Sequence, residues 1–319
     1  MGRYILRRLA ISIPTLAGIS LAIFVVLALA PGDPMADFAQ SPEIPAEVRE
    51  NIRRSLGLDE PMPVRYVKWL GQMVQGDFGY SFASRSPVTK LIIERLPATL
   101  AVVGAAYVIG ILIAIPLGVL SAVRRYSLVD HLATTFAFVG FSLPTFFTGL
   151  LLIIIFAVNL HWLPFIYDST VVVRDWDSLL RQIRQSIMPI AVLALFSSAT
   201  MTRYVRAEMI EHLPQDYVRT ARGKGLAEPT VVRRHVLRNS LIPVVTLLAL
   251  GIPSIFAGAI VTEQIFSVPG LGHLLIKSIT SADTPVVLAI TFSYAVLVVV
   301  FGLIADVLYV ALDPRIKYS

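Results

Sequence analysis

Apolar residues fill long runs along this chain, and polar residues gather between them. A hydrocarbon core about 30 Å thick takes roughly 20 apolar residues in a helix. Six runs qualify: Leu9–Ala30, Thr99–Val123, His131–Leu160, Ile187–Tyr204, Leu241–Thr262 and Val286–Leu312. The pattern predicts an all-α polytopic membrane protein with six transmembrane helices. The fourth run is the least apolar, with Ser197, Ser198, Thr200 and Thr202 inside it. Such hydroxyls bond neighbouring helices or line a polar path, and packing is the plainer use. The first run follows Arg3, Arg7 and Arg8 as a secretory signal would, but it is longer than a signal core and Pro31 follows Ala28-Leu-Ala30, so a retained helix is expected.

The segment between the first two runs is too long for a connector. Val48, Ile52 and Leu56 share a helical face in Pro45–Leu56, and Gly57 supplies a stop. Pro63–Val74 predicts a second helix with Val67, Leu70, Met73 and Val74 on one face. Gly76-Asp-Phe-Gly79 reads as a turn, and Pro87–Leu96 as a third helix with Val88, Leu91, Ile92 and Leu96 inward. Together these predict a small helical lid over residues 31–94. The lid docks a soluble partner or caps the bundle. Between the third and fourth runs, Trp162, Phe165, Tyr167 and Trp176 suit an interfacial belt. Before the last run, Phe266-Ser-Val-Pro-Gly-Leu-Gly272 demands a tight, re-entering turn, and Leu274, Leu275 and Ile279 then form a short amphipathic helix.

The polar segment between the fourth and fifth runs is different. Asp216-Tyr-Val-Arg-Thr-Ala-Arg-Gly-Lys-Gly-Leu226 and Arg233-Arg-His-Val-Leu-Arg-Asn-Ser-Leu-Ile-Pro243 form a basic island, far longer than chain reversal needs. Pro214–Arg222 predicts a helix within it. Ala221, Gly223 and Gly225 leave a low surface where another protein can approach the backbone. Attraction to anionic lipid explains the charge, but not the glycines, the helix or the length.

Composition agrees with a lipid solvent: 56% of residues are hydrophobic and 15% charged, against about 25% charged in soluble domains. The chain has no cysteine and its five histidines are scattered, which argues against disulfides and metal sites. The net charge of +6 follows basic residues in inner loops rather than nucleic-acid binding. With the N-terminus inside, 15 of the 27 basic residues fall on the inner side in the shorter segments, including Arg124, Arg125, Arg203, Arg206, Lys224, Arg238 and Lys317. Both termini are therefore placed in the cytoplasm. Prolines and glycines punctuate the spans; packing explains most of them, and Pro116 and Pro253 are hinge candidates.

Candidate chemistry is sparse. Asp306 is the one acid well inside a run, and its position near the cytoplasmic end favours pairing with an arginine or solvation over solute binding. Ser142, Ser197 and Ser198 have no base arranged beside them, with His131 at a mouth, so an intramembrane hydrolase is disfavoured and no catalytic residue is assigned. An ion-coupled secondary transporter would need a carboxylate relay and usually repeated halves. No phosphate-binding loop Gly-x-x-x-x-Gly-Lys-[Ser/Thr] is present, so ATP must be bound elsewhere.

The island resembles the cytoplasmic coupling loop of ABC-importer permeases. Arg219-Thr-Ala221, then Gly225, then Ile242-Pro243 follow that pattern, with Arg-Thr-Ala where Glu-Ala-Ala is usual and the proline later. Both departures are similar to the dipeptide/oligopeptide branch. So are Arg7-Arg8, Ile13-Pro-Thr15, Pro31-Gly-Asp-Pro34, Leu56-Gly-Leu-Asp59, Gly76–Gly79, Arg238-Asn239, Pro243-Val244, Pro269-Gly-Leu-Gly272 and Asp313-Pro-Arg315, in order along the whole chain.

The resemblance implies a type I ABC importer permease fold in a bacterial or archaeal inner membrane, with a five-helix core over 95–312 and a coupling loop at about 205–240. It implies as partners a second, similar permease, two cytoplasmic ATPases that hold ATP and Mg, and an extracytoplasmic solute-binding protein, with no cofactor on this chain. ATPase coupling would fall to Asp216, Tyr217, Arg219, Thr220, Ala221, Gly223, Lys224, Gly225 and Leu226. Binding-protein docking or gating would fall to Phe266, Pro269, Gly270 and Gly272. Family solutes include di- and oligopeptides, glutathione, nickel chelates, opines and some sugars, and the sequence does not choose among them.

Overall fold

A computed structural model describes residues 2–29 and 60–312. The expected helix Pro45–Leu56, its Gly57 stop, and the segments Pro31–Pro34, Leu56–Asp59 and Asp313–Arg315 lie outside the described residues. Regular structure among the described residues is helical, apart from a single antiparallel bridge between Tyr80 and Pro87. The helices are α1 (Gly2–Ala28), α2 (Met62–Val74), α3 (Val88–Val123), α4 (Leu128–Ser142), α5 (Thr145–Leu152), α6 (Trp176–His212), α7 (Asp216–Gly223), α8 (Leu237–Phe266), α9 (Leu271–Thr280) and α10 (Thr284–Leu312). Ile153–Asn159 continues α5 as π-helix, and a turn at Glu228–Thr230 leads through π-helical Val231–Val236 into α8.

Among the described residues, five helices are long and apolar enough to span a bilayer, rising to seven if each of two bent pairs is counted as one span. The third apolar run is one such pair. It was expected to be a single helix, but α4 and the α5–Asn159 segment meet at 103°. Pro144 causes the break: it has no N–H to give, and it drives Leu143 to an extended φ −83°, ψ 124°. The opposite outcome occurs at Pro97. The expected helix Pro87–Leu96 and the second run join in the 36-residue α3, which passes through Pro97 and Pro116. Pro253 likewise lies within the continuous α8.

Contacts divide the chain into two compact units. One comprises residues 1–6, 97–273 and 300–319. Its centre is α6, whose most apolar stretch is 61% buried, against 11–28% for the other four long spans. Small residues permit this enclosure. A methyl group on Gly118 would meet Val205 at 2.7 Å, and one on Gly140 would meet Ala199 at 2.8 Å. The hydroxyls of α6 divide between the two expected uses. Ser198 is buried in packing, whereas Ser197 and Thr202, though buried, border cavities together with the more open Thr200.

The other unit comprises residues 7–96 and 274–299. Here α2 packs beside the middle of α1. Tyr66 Oη lies 2.8 Å from Ser20 Oγ and donates to the Ala17 carbonyl at 3.1 Å. Phe24, Tyr66, Trp69 and Phe292 form a connected ring cluster. The packed face of α2 is therefore Tyr66, Trp69, Leu70 and Met73; Val67 and Val74, expected on one face with Leu70 and Met73, are exposed. Aromatic rings bury more area than valines, and Tyr66 finds partners for its hydroxyl.

Candidate functional site

The basic island is a short helix on an apolar base. Val218 and Ala221 of α7 are buried with Ala122, Val205, Met209, Val231, Val236 and Val244. They lie three residues apart, so one side of α7 is fixed to the bundle. The opposite side carries the sequence-predicted residues: Asp216, Tyr217, Arg219, Thr220, Gly223, Lys224, Gly225 and Leu226 are all exposed. Only Ala221 of the predicted set faces inward. The helix spans Asp216–Gly223, close to the expected Pro214–Arg222.

Its ends are fixed by contacts the sequence did not reveal. Tyr217 Oη lies 2.9 Å from His212 Nδ1, across the bend after α6. Partial burial pushes the Tyr217 phenol up, opposed by a hydrogen bond with Asn239, so it stays neutral near pH 7. Arg222 donates to both Glu228 oxygens, at 3.0 and 2.6 Å, fastening α7 to the next turn. That carboxylate pushes the Arg222 guanidinium further above its usual range. Gly225 turns the chain at φ +77°, a left-handed conformation that favours glycine. No atom lies within 4 Å of where its side chain would begin, so the hook around Gly225 is open on its outer side.

The Phe266–Gly272 turn is built around a buried carboxylate. Glu263 is 1% exposed. It accepts from Thr99 Oγ1 at 2.6 Å, Gly272 N at 2.7 Å and His273 N at 3.0 Å. Thr99 Oγ1 in turn accepts from Leu271 N at 2.8 Å. Ser267 sits in the left-handed region at φ 54°, and the Phe266 carbonyl accepts from Tyr167 N at 2.9 Å. Phe266, Gly270 and Gly272 are buried and Pro269 half-buried, so the predicted gate residues form the inner frame of the turn. A methyl group on Gly270 would overlap the Glu263 carboxylate, and one on Gly272 would meet Ile260 Cα at 2.5 Å. Sequence reading missed Glu263 because Thr99, its partner, is 164 residues away.

A second buried carboxylate, Asp283, was also missed. It accepts from Ser81 Oγ at 2.5 Å, Phe82 N at 3.0 Å and Ala83 N at 3.3 Å, tying the loop before α3 to the start of α10. Asp306 is half-buried in α10 beside the fully packed Ala305. No group of three or more metal-binding side chains occurs among the described residues.

Residues 114–318 match the family described as binding-protein-dependent transport system inner membrane component, and residues 1–103 match the N-terminal family of the same membrane components. The chain is 46% identical over 319 residues to the oligopeptide transport system permease protein AppB of Bacillus subtilis (strain 168), covering 100% of both chains. It is 38% identical over 319 residues to the glutathione transport system permease protein GsiC of Escherichia coli (strain K12), again covering 100% of both. The fold is similar to a crystal structure of an amino acid ABC transporter, with TM-score 0.54 and 17% identity, covering 72% of this chain and 95% of that one. It is also similar to the inward-facing MetNI methionine ABC transporter, with TM-score 0.51 and 17% identity, over 70% and 96% of the respective chains.

Proposed function

The chain belongs to the binding-protein-dependent transport system inner-membrane component family, as a multi-pass permease subunit of an ABC importer, and from that premise we propose that it carries peptides or peptide-like solutes and is driven through α7. ATP is used by separate ATPase subunits in such importers, and the ion-coupled alternative is not favoured. The relatives named for oligopeptide and glutathione transport support the solute class.

The single observation that carries the coupling role is the two-sidedness of α7. Its inner side is packed on α6 and the turn before α8, and its outer side is polar and open. A partner that grips the outer side moves the packed side with it. An ATPase whose cleft closes on ATP and Mg makes different contacts in its open and closed states, which is what shifting the bundle requires. Asp216, Tyr217, Arg219, Thr220 and Lys224 would meet that cleft, with Gly223, Gly225 and Leu226 shaping the approach and Ala221 seating the helix. The assembly would hold a second, similar permease, two ATPases and an extracytoplasmic binding protein. The turn framed by Phe266, Pro269, Gly270 and Gly272 would respond to that binding protein, and Asp306 would serve a structural pairing.

The test replaces Gly225 with tryptophan and measures ATP-dependent peptide uptake beside ATP hydrolysis in the reconstituted complex. Uptake is expected to fall while hydrolysis loses its dependence on loaded binding protein. Full uptake with normal stimulation would contradict the proposal.

A further inference from the structure

The least apolar span carries a face that suits neither lipid nor close packing. Phe196, Thr200, Arg203, Tyr204 and Ala207 recur at intervals of four, three, one and three along α6, on one side of the helix. A cavity of about 490 Å³ borders this face, lined by Thr134, Phe138, Phe141, Thr200, Arg203 and Tyr204 among others. A second, of about 270 Å³, shares Thr200 and Tyr204 and adds Phe196 and Ser197. The first turns of α6 expose Leu180, Ile183 and Ile187, whereas Thr200, Arg203 and Tyr204 border the cavities further along the helix.

Arg203 is the charge in this setting that has no acid beside it. Arg206, one turn on, is committed to Asp130 at 2.7 and 3.0 Å. Arg203 lies instead over Phe138 at 5.8 Å and Phe141 at 5.3 Å, and no carboxylate pairs with it among the described residues. Phe141 in turn stacks on Phe196 at 6.4 Å. The rings lie beside the guanidinium, and a guanidinium's planar N–H fork is the geometry that receives a carboxylate on two parallel bonds. Thr200 Oγ1 donates to the Phe196 carbonyl at 3.2 Å and so keeps its lone pairs for a solute donor.

We propose that this face of α6 contacts the solute, and that Arg203 receives the carboxylate of a peptide or peptide-like solute near the cytoplasmic end of the path. The inference rests on the peptide reading above.

The test uses the full complex in proteoliposomes, with its binding protein saturated in turn by a mixture of tripeptides with free C-termini and by the same mixture amidated. Uptake is read by mass spectrometry. Arg203→Gln is expected to lower free-acid uptake about tenfold while amide uptake and binding-protein-stimulated ATP hydrolysis stay within about twofold. Arg203→Lys, which keeps charge but loses the fork, is expected to fall between, and it carries the comparison if the glutamine variant does not assemble. Unchanged free-acid uptake, or an equal fall for both mixtures, would overturn the proposal. So would an effect of Arg203→Gln seen only in liposomes containing anionic lipid, which would assign the site to a lipid headgroup. A wild-type complex that imports neither mixture would contradict the peptide reading itself rather than the role of Arg203.

Discussion

Glu263 and Thr99, 164 residues apart in sequence, share a 2.6 Å hydrogen bond, and both are at most 1% exposed. Through this pair the end of α8, the start of α9 and the body of α3 are held as one knot. Removing the carboxylate leaves the Gly272 and His273 amides without their acceptor, at about 1–3 kcal/mol for each unsatisfied buried group. Glu263→Ala is expected to lower the thermal midpoint of the purified complex clearly, and Glu263→Gln, which keeps one oxygen acceptor, to lower it less. Scanning fluorimetry of both variants checks the order.

Gly270→Ala attacks the same knot from the other side, because its methyl group would overlap the Glu263 carboxylate. Overpacking of this kind costs about 1–3 kcal/mol. The Gly270→Ala loss and the Glu263→Ala loss are expected to be non-additive in the double variant, since the alanine at 263 vacates the space. Thermal midpoints of the three variants form the cycle.

Buried Asp130 pairs with the partly exposed Arg206 and is held further by Ser121 and the Tyr126 amide. Breaking a fully buried pair from one side costs about 3–5 kcal/mol, and the cost is smaller here because the Arg206 left behind reaches solvent. Asp130→Ala is expected to destabilise, whereas Asp130→Leu combined with Arg206→Met is expected to recover most of the loss. Denaturation of the detergent-solubilised complex measures both. Equal losses in the single and double variants would show that the pair is not what holds α3, α4 and α6 together.

Ser81 and Asp283 pin the loop before α3 to the start of α10. Ser81→Ala removes one charge-assisted hydrogen bond while two amides still hold the carboxylate, so the expected cost is about 1.5–3 kcal/mol. Asp283→Ala removes all three contacts. Limited proteolysis from the outer face is expected to cut the 76–86 loop faster in Asp283→Ala than in Ser81→Ala.

Six apolar runs were legible because length and hydropathy alone set them, and among the described residues each is largely helical, the third in two pieces. The helix of α7 was legible in its polar segment, but Ala221, expected at the open surface, is instead buried beside Val218, because its partners on α3, α6 and α8 are distant in sequence. Three other features were not legible. The bend at Leu143-Pro144 lies between two equally apolar halves, so hydropathy passes through it, while Pro97 suggested a break that α3 absorbs. The face of α2 went to Tyr66 and Trp69 because partners on α1 and α10 select rings over valines. Glu263 and Asp283 read as ordinary loop-edge acids, since the Thr99 and Ser81 hydroxyls that bury them are distant in sequence.

The central claim is that α7 seats an ATPase. The chain has no cysteine, so a thiol placed at Thr220, on the exposed side of α7, is unique in this subunit. A short thiol-to-amine crosslinker applied to the intact, ATP-hydrolysing complex is expected to join Thr220→Cys to an ATPase subunit, and Thr170→Cys, on the opposite membrane side in the proposed topology, is expected to give no such product. No ATPase adduct from Thr220→Cys, or an equal yield from Thr170→Cys, would contradict the account.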